Sequence, residues 1–244
     1  MRVELALAAA ALAMSAPAHA RPQMSGFAEI AASGDEEQLR GIGWGQSGRF
    51  TLTGSGAKGT FRRTADTVSS VELKSYEGTV DFAVSGPGLD GELTGSCGYG
   101  QQAIEAGARV GRRARVDVAA ITAPFAYSCR FFRDRQPLGE LELRREQGGT
   151  VDIRAMRRGW IEIEGAILDL RSVHTFAGSR MPTEMPLGYT MARAEDDRPT
   201  ADIGAAYLNG DTRRLVLPRD PKEREAALLA SLALALLWDP GDGE

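Results

Sequence analysis

Histidine, cysteine and lysine are scarce in this chain of 244 residues. It holds 2 histidines, 2 cysteines and 3 lysines, the last against 26 arginines. Two cysteines exclude a disulfide-dense scaffold, and they lack the Cys-x-x-Cys spacing of a redox pair. His19 lies in a leader-like N-terminal segment, which leaves His174 as the one histidine beyond it. Zinc prefers His and Cys ligands, so neither a metal site nor a cofactor is expected. Asp196, Asp197 and Asp202 lack EF-hand spacing and read as a charged turn. No apolar run of about eighteen residues occurs beyond the N-terminus, which excludes a polytopic helical membrane protein. The formal net charge of −4 gives no footprint for nucleic acid. The hydrophobic content of 43% is enough for a packed core and excludes a chain disordered throughout.

What is present begins with an address. Residues 1–20, MRVELALAAAALAMSAPAHA, combine Arg2, an apolar stretch from Val3 to Met14, and Ala18-His19-Ala20 as a small-residue cleavage site. This pattern predicts a secretory signal peptide, a mature chain starting near Arg21, and a periplasmic or secreted location. Export permits a disulfide. Alternation puts Leu93, Gly95, Cys97 and Tyr99 on one strand face, and Phe125, Tyr127, Cys129 and Phe131 on another. Both cysteines therefore share the apolar side of their strands, and a Cys97–Cys129 bridge is expected.

The dominant period beyond the leader is two. Phe50 and Leu52 alternate with Thr51 and Thr53, and Val80, Phe82 and Val84 with Thr79, Asp81 and Ala83. Similar alternation appears around Val116, Leu141 and Ile161, with further strands expected at 58–63, 67–75, 89–97, 124–132, 151–156, 166–174, 187–193, 200–208 and 212–217. Residues 221–238 break the rule. Asp220, Pro221 and Glu223 form a helix start of the capping-box type, and Ala226 to Trp238 is apolar on every side save Ser231. A helix apolar all round is buried, and about 13 residues, roughly 20 Å, are too few to cross a bilayer. The expected fold is mainly β: an antiparallel barrel or barrel-like sheet of about twelve strands wrapped around a buried C-terminal helix. Residues 21–244 read as one domain; two sub-domains, 26–147 and 150–240, are the alternative. Charge is uneven, at −3 over 21–104, +5 over 105–160 and −6 over 161–244.

TADIGAAYLN (200–209), TRRLVLP (212–218) and EREAALLASLALALLW (223–238) together resemble the tubby-like C-terminal fold, shared with phospholipid scramblases and LURP-one-related proteins. The resemblance covers about a fifth of the chain by motif. It implies a closed barrel of about twelve strands around a hydrophobic helix at the chain end. It also implies lipid binding, and it carries over no catalytic residue.

Three stretches match G-x-G-x-x-G, at Gly43, Gly54 and Gly86. None opens a helix, so they read as hairpin turns and not as nucleotide loops. Ser172 and His174 fall on one strand face, with Asp169 on the opposite face, so a nucleophile and base are conceivable but a triad is not. His174, Arg180 and Tyr189, within or beside the irregular stretch 171–189, are the candidate pocket rim. Arginine clusters at 109–115 and 130–135 suit phosphate groups. The leading expectation is an exported, non-enzymatic envelope protein that binds a lipid or another envelope component and contacts a membrane without spanning it. A periplasmic hydrolase using His174 and Ser172, and a helix-anchored membrane protein, are the alternatives.

Overall fold

The structure is a computed structural model, and it describes residues 23–69, 73–110, 114–146, 155–195, 198–210 and 213–238. The turn aspartates 196 and 197 and residues 1–22, which include the expected leader 1–20, lie outside them. Twelve strands form a closed antiparallel barrel. They are β1 (Asp35–Arg40), β2 (Ser47–Leu52), β3 (Lys58–Ser69), β4 (Leu73–Ser85), β5 (Leu93–Val110) and β6 (Ala114–Arg133). The circuit continues with β7 (Gln136–Arg145), β8 (Arg157–Ile163), β9 (Ala166–Val173), β10 (Gly188–Glu195), β11 (Arg198–Tyr207) and β12 (Arg213–Leu217). Each strand pairs with its neighbours in sequence, and β1 closes the circuit against β12. β7 pairs with β8 along its length, so strands from both halves of the chain belong to one sheet.

The core helix follows as α2, Pro221–Leu236, two residues shorter than the expected 221–238. Asp220 caps it, accepting from the amides of Lys222 and Glu223. The reciprocal half of the capping box does not form, because the Glu223 carboxylate is drawn into a bidentate pair with Arg193. Every residue from Ala226 to Leu236 is buried. The period-2 side chains of the strands, among them Phe50, Leu52, Phe82, Phe131, Leu141, Ile161 and Leu170, share one core with it. Fully burying a leucine stabilises by roughly 1.5–3 kcal/mol, so Leu228, Leu229, Leu232, Leu234 and Leu236 make the helix the centre of the fold. Gly95 shows how tightly the wall is set: a Cβ there would run into the Phe82 ring.

The cysteine expectation holds. Cys97 and Cys129 sit directly opposite each other on β5 and β6, with Cα atoms 4.0 Å apart, and form a disulfide. The glycine-rich stretches lie between antiparallel strands, at the β1–β2, β2–β3 and β4–β5 connections.

Several boundaries differ from the sequence reading. The strand expected at 67–75 is the end of β3 and the start of β4; of the strand expected at 151–156, residues 151–154 lie outside the described residues and 155–156 are not strand. The strands read at Val116–Val118 and 124–132 are one element, β6. β1, DEEQLR, has no hydrophobic alternation. It holds its place because Arg214 of β12 takes Glu36 in a bidentate pair, at 2.6 and 2.8 Å, leaving Leu39 to face the core. A short helix, α1 (Phe27–Ala31), lies outside the barrel. Phe27 packs edge-on to Tyr207, and Ile30 joins Met24, Leu187, Ala205 and Val216 in a small second cluster.

Candidate ligand-binding site at the end of the central helix

The two ends of the barrel are built differently. At the end where α2 enters, β6–β7 and β8–β9 turn through Asp134-Arg135 and Glu164-Gly165, all at positive φ, the geometry of two-residue hairpins. Successive residues of the first helical turn reach three different strands or strand ends. Glu223 pairs with Arg193, Arg224 with Asp35 at 2.7 Å, and Glu225 with Arg133, which also holds Glu164 at 2.9 Å. Burial pushes the Glu225 carboxyl above its ordinary range, with Arg133 opposing the shift. This ionic collar seals that end.

The other end is open. Here the β1–β2 and β9–β10 connections are long, and a cavity of about 740 Å³ reaches down to Leu234, Ala235 and Leu237 at the end of α2. Arg63, Arg157 and Arg213 line it, together with Trp44, Trp238 and Tyr189, and among the described residues its lining includes no Asp or Glu. Arg63 and Arg157 are each only 4% exposed. The positive charge faces the C-terminal end of a helix whose last turn has no basic residue, where the macrodipole is negative.

Each arginine is held in place. Arg63 donates to the carbonyls of Gly45 and Gly43, at 3.1 and 2.5 Å, with its guanidinium 5.4 Å from the Phe61 ring centre and 4.9 Å from that of Trp238. Arg213 donates to the Ile42 carbonyl at 2.8 Å. Both therefore fix the 41–46 connection that bears Trp44. Arg157 lies 4.0 Å over the Phe125 ring and donates to the Tyr189 hydroxyl at 3.3 Å.

Ser172 and His174 are brought together, 3.0 Å apart. The direction of that bond follows from its neighbours. The His174 Nδ1 faces the Thr183 carbonyl at 3.0 Å, and a carbonyl only accepts, so Nδ1 carries the proton. Nε2 then accepts from the Ser172 hydroxyl, whose oxygen accepts the Arg157 amide at 2.8 Å. The chain of bonds ends on the backbone of a cavity arginine. It positions Arg157 and fastens the 174–187 connection to the barrel. Ser172 and His174 are 8% and 4% exposed, and neither lines the cavity. Asp169 stays on the outer face, 4.0 Å from Arg171.

Of the rim residues expected from sequence, Tyr189 lines the cavity, His174 lies behind its wall, and Arg180 is exposed and outside it. The principal groups, Arg63, Arg157 and Arg213, are not among the rim residues expected from sequence. A signal existed: alternation places Arg63 in phase with Phe61, and Arg157 in phase with Ile161 and Ile163, so both arginines fall on the inward face. Among the described residues no group of three or more His, Cys, Asp or Glu gathers closely enough to hold a metal ion. No described helix is long and apolar enough to cross a membrane.

Comparison of the chain with protein-family models, curated proteins and solved structures finds no match. What the fold and site define is a class: a closed antiparallel barrel around a hydrophobic helix, with an arginine-lined cavity where that helix ends.

Proposed function

We propose that this protein is a non-enzymatic envelope component, exported by its N-terminal segment, that binds an anionic amphiphile in the cavity at the end of α2. The carrying observation is the convergence of Arg63, Arg157 and Arg213 on one cavity that also offers two indoles and the apolar end of the helix. Guanidinium forks match phosphate and carboxylate oxygens, and the buried setting strengthens each such bond. The aromatic and leucine surfaces suit an acyl or other apolar body. The resemblance to the scramblase and tubby-like fold supports the same class of ligand.

The test uses brominated fatty acid and brominated lysophosphatidic acid, which quench indoles on contact. Trp44 and Trp238 line the cavity, so saturable quenching is expected. Arg157→Gln should weaken binding by about tenfold or more, the equivalent of one charge-assisted bond. Unquenched fluorescence, or equal affinity in the variant, rejects the reading.

The hydrolase alternative keeps one observation, the Ser172–His174 bond. An esterase screen of the wild type against His174→Ala decides it: activity lost in the variant supports it, and equal or no activity disposes of it.

A further inference from the structure

The outer face of the barrel carries a charge arrangement that the fold itself does not require. Strand pairing sets residues in level rows around the wall. One row runs from β3 to β9 through Asp66, Glu77, Gly100, Ala126, Arg144, Arg158 and Arg171. Leu143, Ile161 and Leu170 are buried inward on β7, β8 and β9, so by alternation Arg144, Arg158 and Arg171 face out.

Three arginines therefore stand in line on adjacent strands, about 5 Å apart at the backbone. Like charges directly opposite each other destabilise a strand pair. Neutralisation within the fold is partial. The next row is Glu142, Trp160 and Asp169. Glu142 holds Arg144 at 3.1 Å. Asp169 is 4.0 Å from Arg171, whose Nε is buried with no hydrogen-bond partner, and Asp202, bonded to Thr190, also lies near Arg171. The middle position of that row is an indole in place of an acid, and Arg158 has no ion pair among the described residues.

The same row turns acidic on β3 and β4. Asp66 lies directly opposite Glu77, again like against like, and both are exposed. Ser75 donates to Glu77 at 3.1 Å, and the adjoining Thr64–Thr79 row is uncharged. Neither carboxylate has an ion pair among the described residues. Each patch also has an apolar flank. Val68, 66% exposed, is two residues beyond Asp66 on the same face of β3. Ile167, 43% exposed, shares the outer face of β9 with Asp169 and Arg171.

The two patches are complementary in charge and lie at one level of one barrel. They cannot meet within a molecule, because Gly100 and Ala126 separate them and both face outward from a closed wall. We propose that they meet between molecules: the arginine row of one copy receives Asp66 and Glu77 of the next, with Arg158 at the centre and Val68 set against the Trp160–Ile167 flank. The contact joins two different surfaces, so it is heterologous, and copies add head to tail beyond a dimer. It stands independently of what the cavity holds.

The experiment is sedimentation velocity of the purified protein at rising concentration. Species larger than a dimer are expected in low salt, and high salt should dissociate them. Arg158→Glu, and separately Asp66→Arg with Glu77→Arg, should each weaken association by about tenfold or more, because like charges then face each other across the contact. All three positions are exposed, so both variants should keep the wild-type circular dichroism and melting temperature. The decisive sample is an equimolar mixture of the two variants. One keeps the acidic patch and the other the arginine row, so the mixture should form a heterodimer and stop there. A wild type that stays monomeric in low salt overturns the proposal, as does a mixture of folded variants that stays monomeric. Association that neither variant changes overturns it too. A monomeric wild type that binds dextran sulfate, with binding lost in Arg158→Glu, would overturn it by assigning the row to an extended polyanion.

Discussion

The phenolic hydroxyl of Tyr127, midway along β6, donates to the backbone carbonyl of Ala233 in the last turns of α2, at 2.9 Å and across 106 residues of sequence. It is a polar tie between barrel wall and helix inside an apolar core. Burial raises the Tyr127 hydroxyl well above its ordinary value, which favours the neutral phenol that donates this bond. The Ala233 carbonyl also receives the Leu237 amide at 3.1 Å, so it keeps one partner when the phenol is removed. Tyr127→Phe is therefore expected to cost about 1 kcal/mol in urea denaturation. A loss above about 3 kcal/mol would show that the phenol does more than complete this bond.

Ser231 is the one polar residue in the buried stretch of α2, fully buried, and its hydroxyl has no hydrogen-bond partner. An unsatisfied buried hydroxyl is a cost. Ser231→Ala should raise stability by about 1 kcal/mol. Its neighbour Leu232 is also fully buried, and Leu232→Asp places an unpaired carboxylate at the centre of the core. Total stability of a domain is about 5–15 kcal/mol, so that variant should yield no soluble, cooperatively folding protein. A soluble Leu232→Asp protein with a sharp melting transition would contradict the central position of the helix.

The Cys97–Cys129 bridge closes a loop of sequence separation 32. On chain-entropy grounds it stabilises by about 3–4 kcal/mol relative to the reduced chain. The paired variant Cys97→Ala with Cys129→Ala should unfold at a correspondingly lower denaturant midpoint. Reductant should lower the wild-type midpoint and leave that of the variant unmoved. Identical midpoints with and without reductant would show that the bridge contributes nothing to stability.

The collar predicts a dependence on pH. Because burial raises the Glu225 carboxyl, the folded chain holds that proton more tightly than the unfolded chain does. Stability from this group is therefore greatest below the ordinary glutamate value and falls as pH rises through the interval up to the raised value. Glu225→Gln should flatten the stability–pH curve across that interval while losing part of the Arg133 contact. Melting temperatures of the two proteins, measured from mildly acidic to neutral pH, check it, and an unchanged slope counts against it.

How much of this was legible in the sequence depends on the element. Period-2 alternation marks β2, β4, β7 and β8 because their outer faces are wet and their inward side chains belong to the same core as α2. The same sidedness placed both cysteines inward. β1 was invisible to that signal, since ion pairs with Arg214 and Arg224 hold DEEQLR in the sheet. The full length of β5 and β6 was hidden by glycines and alanines that look like interruptions until the cross-strand register is known. The site was half visible. Ser172 and His174 stood out as reactive residue types, yet their contact serves to position Arg157. The cavity arginines look like ordinary surface charge, and only the barrel's curvature turns them toward one another.

The closing pair β1–β12 and the helix that fills the barrel together impose an order of events on the nascent chain. β1 pairs with β2 next to it in sequence, but its other edge closes only when residues 213–217 exist, and the helix that shares a core with the strands follows them in the chain. Until then the strands have nothing to enclose, and their long-range pairings bring slow closure. Closure of the barrel therefore waits on the segment that follows most of its strands in sequence.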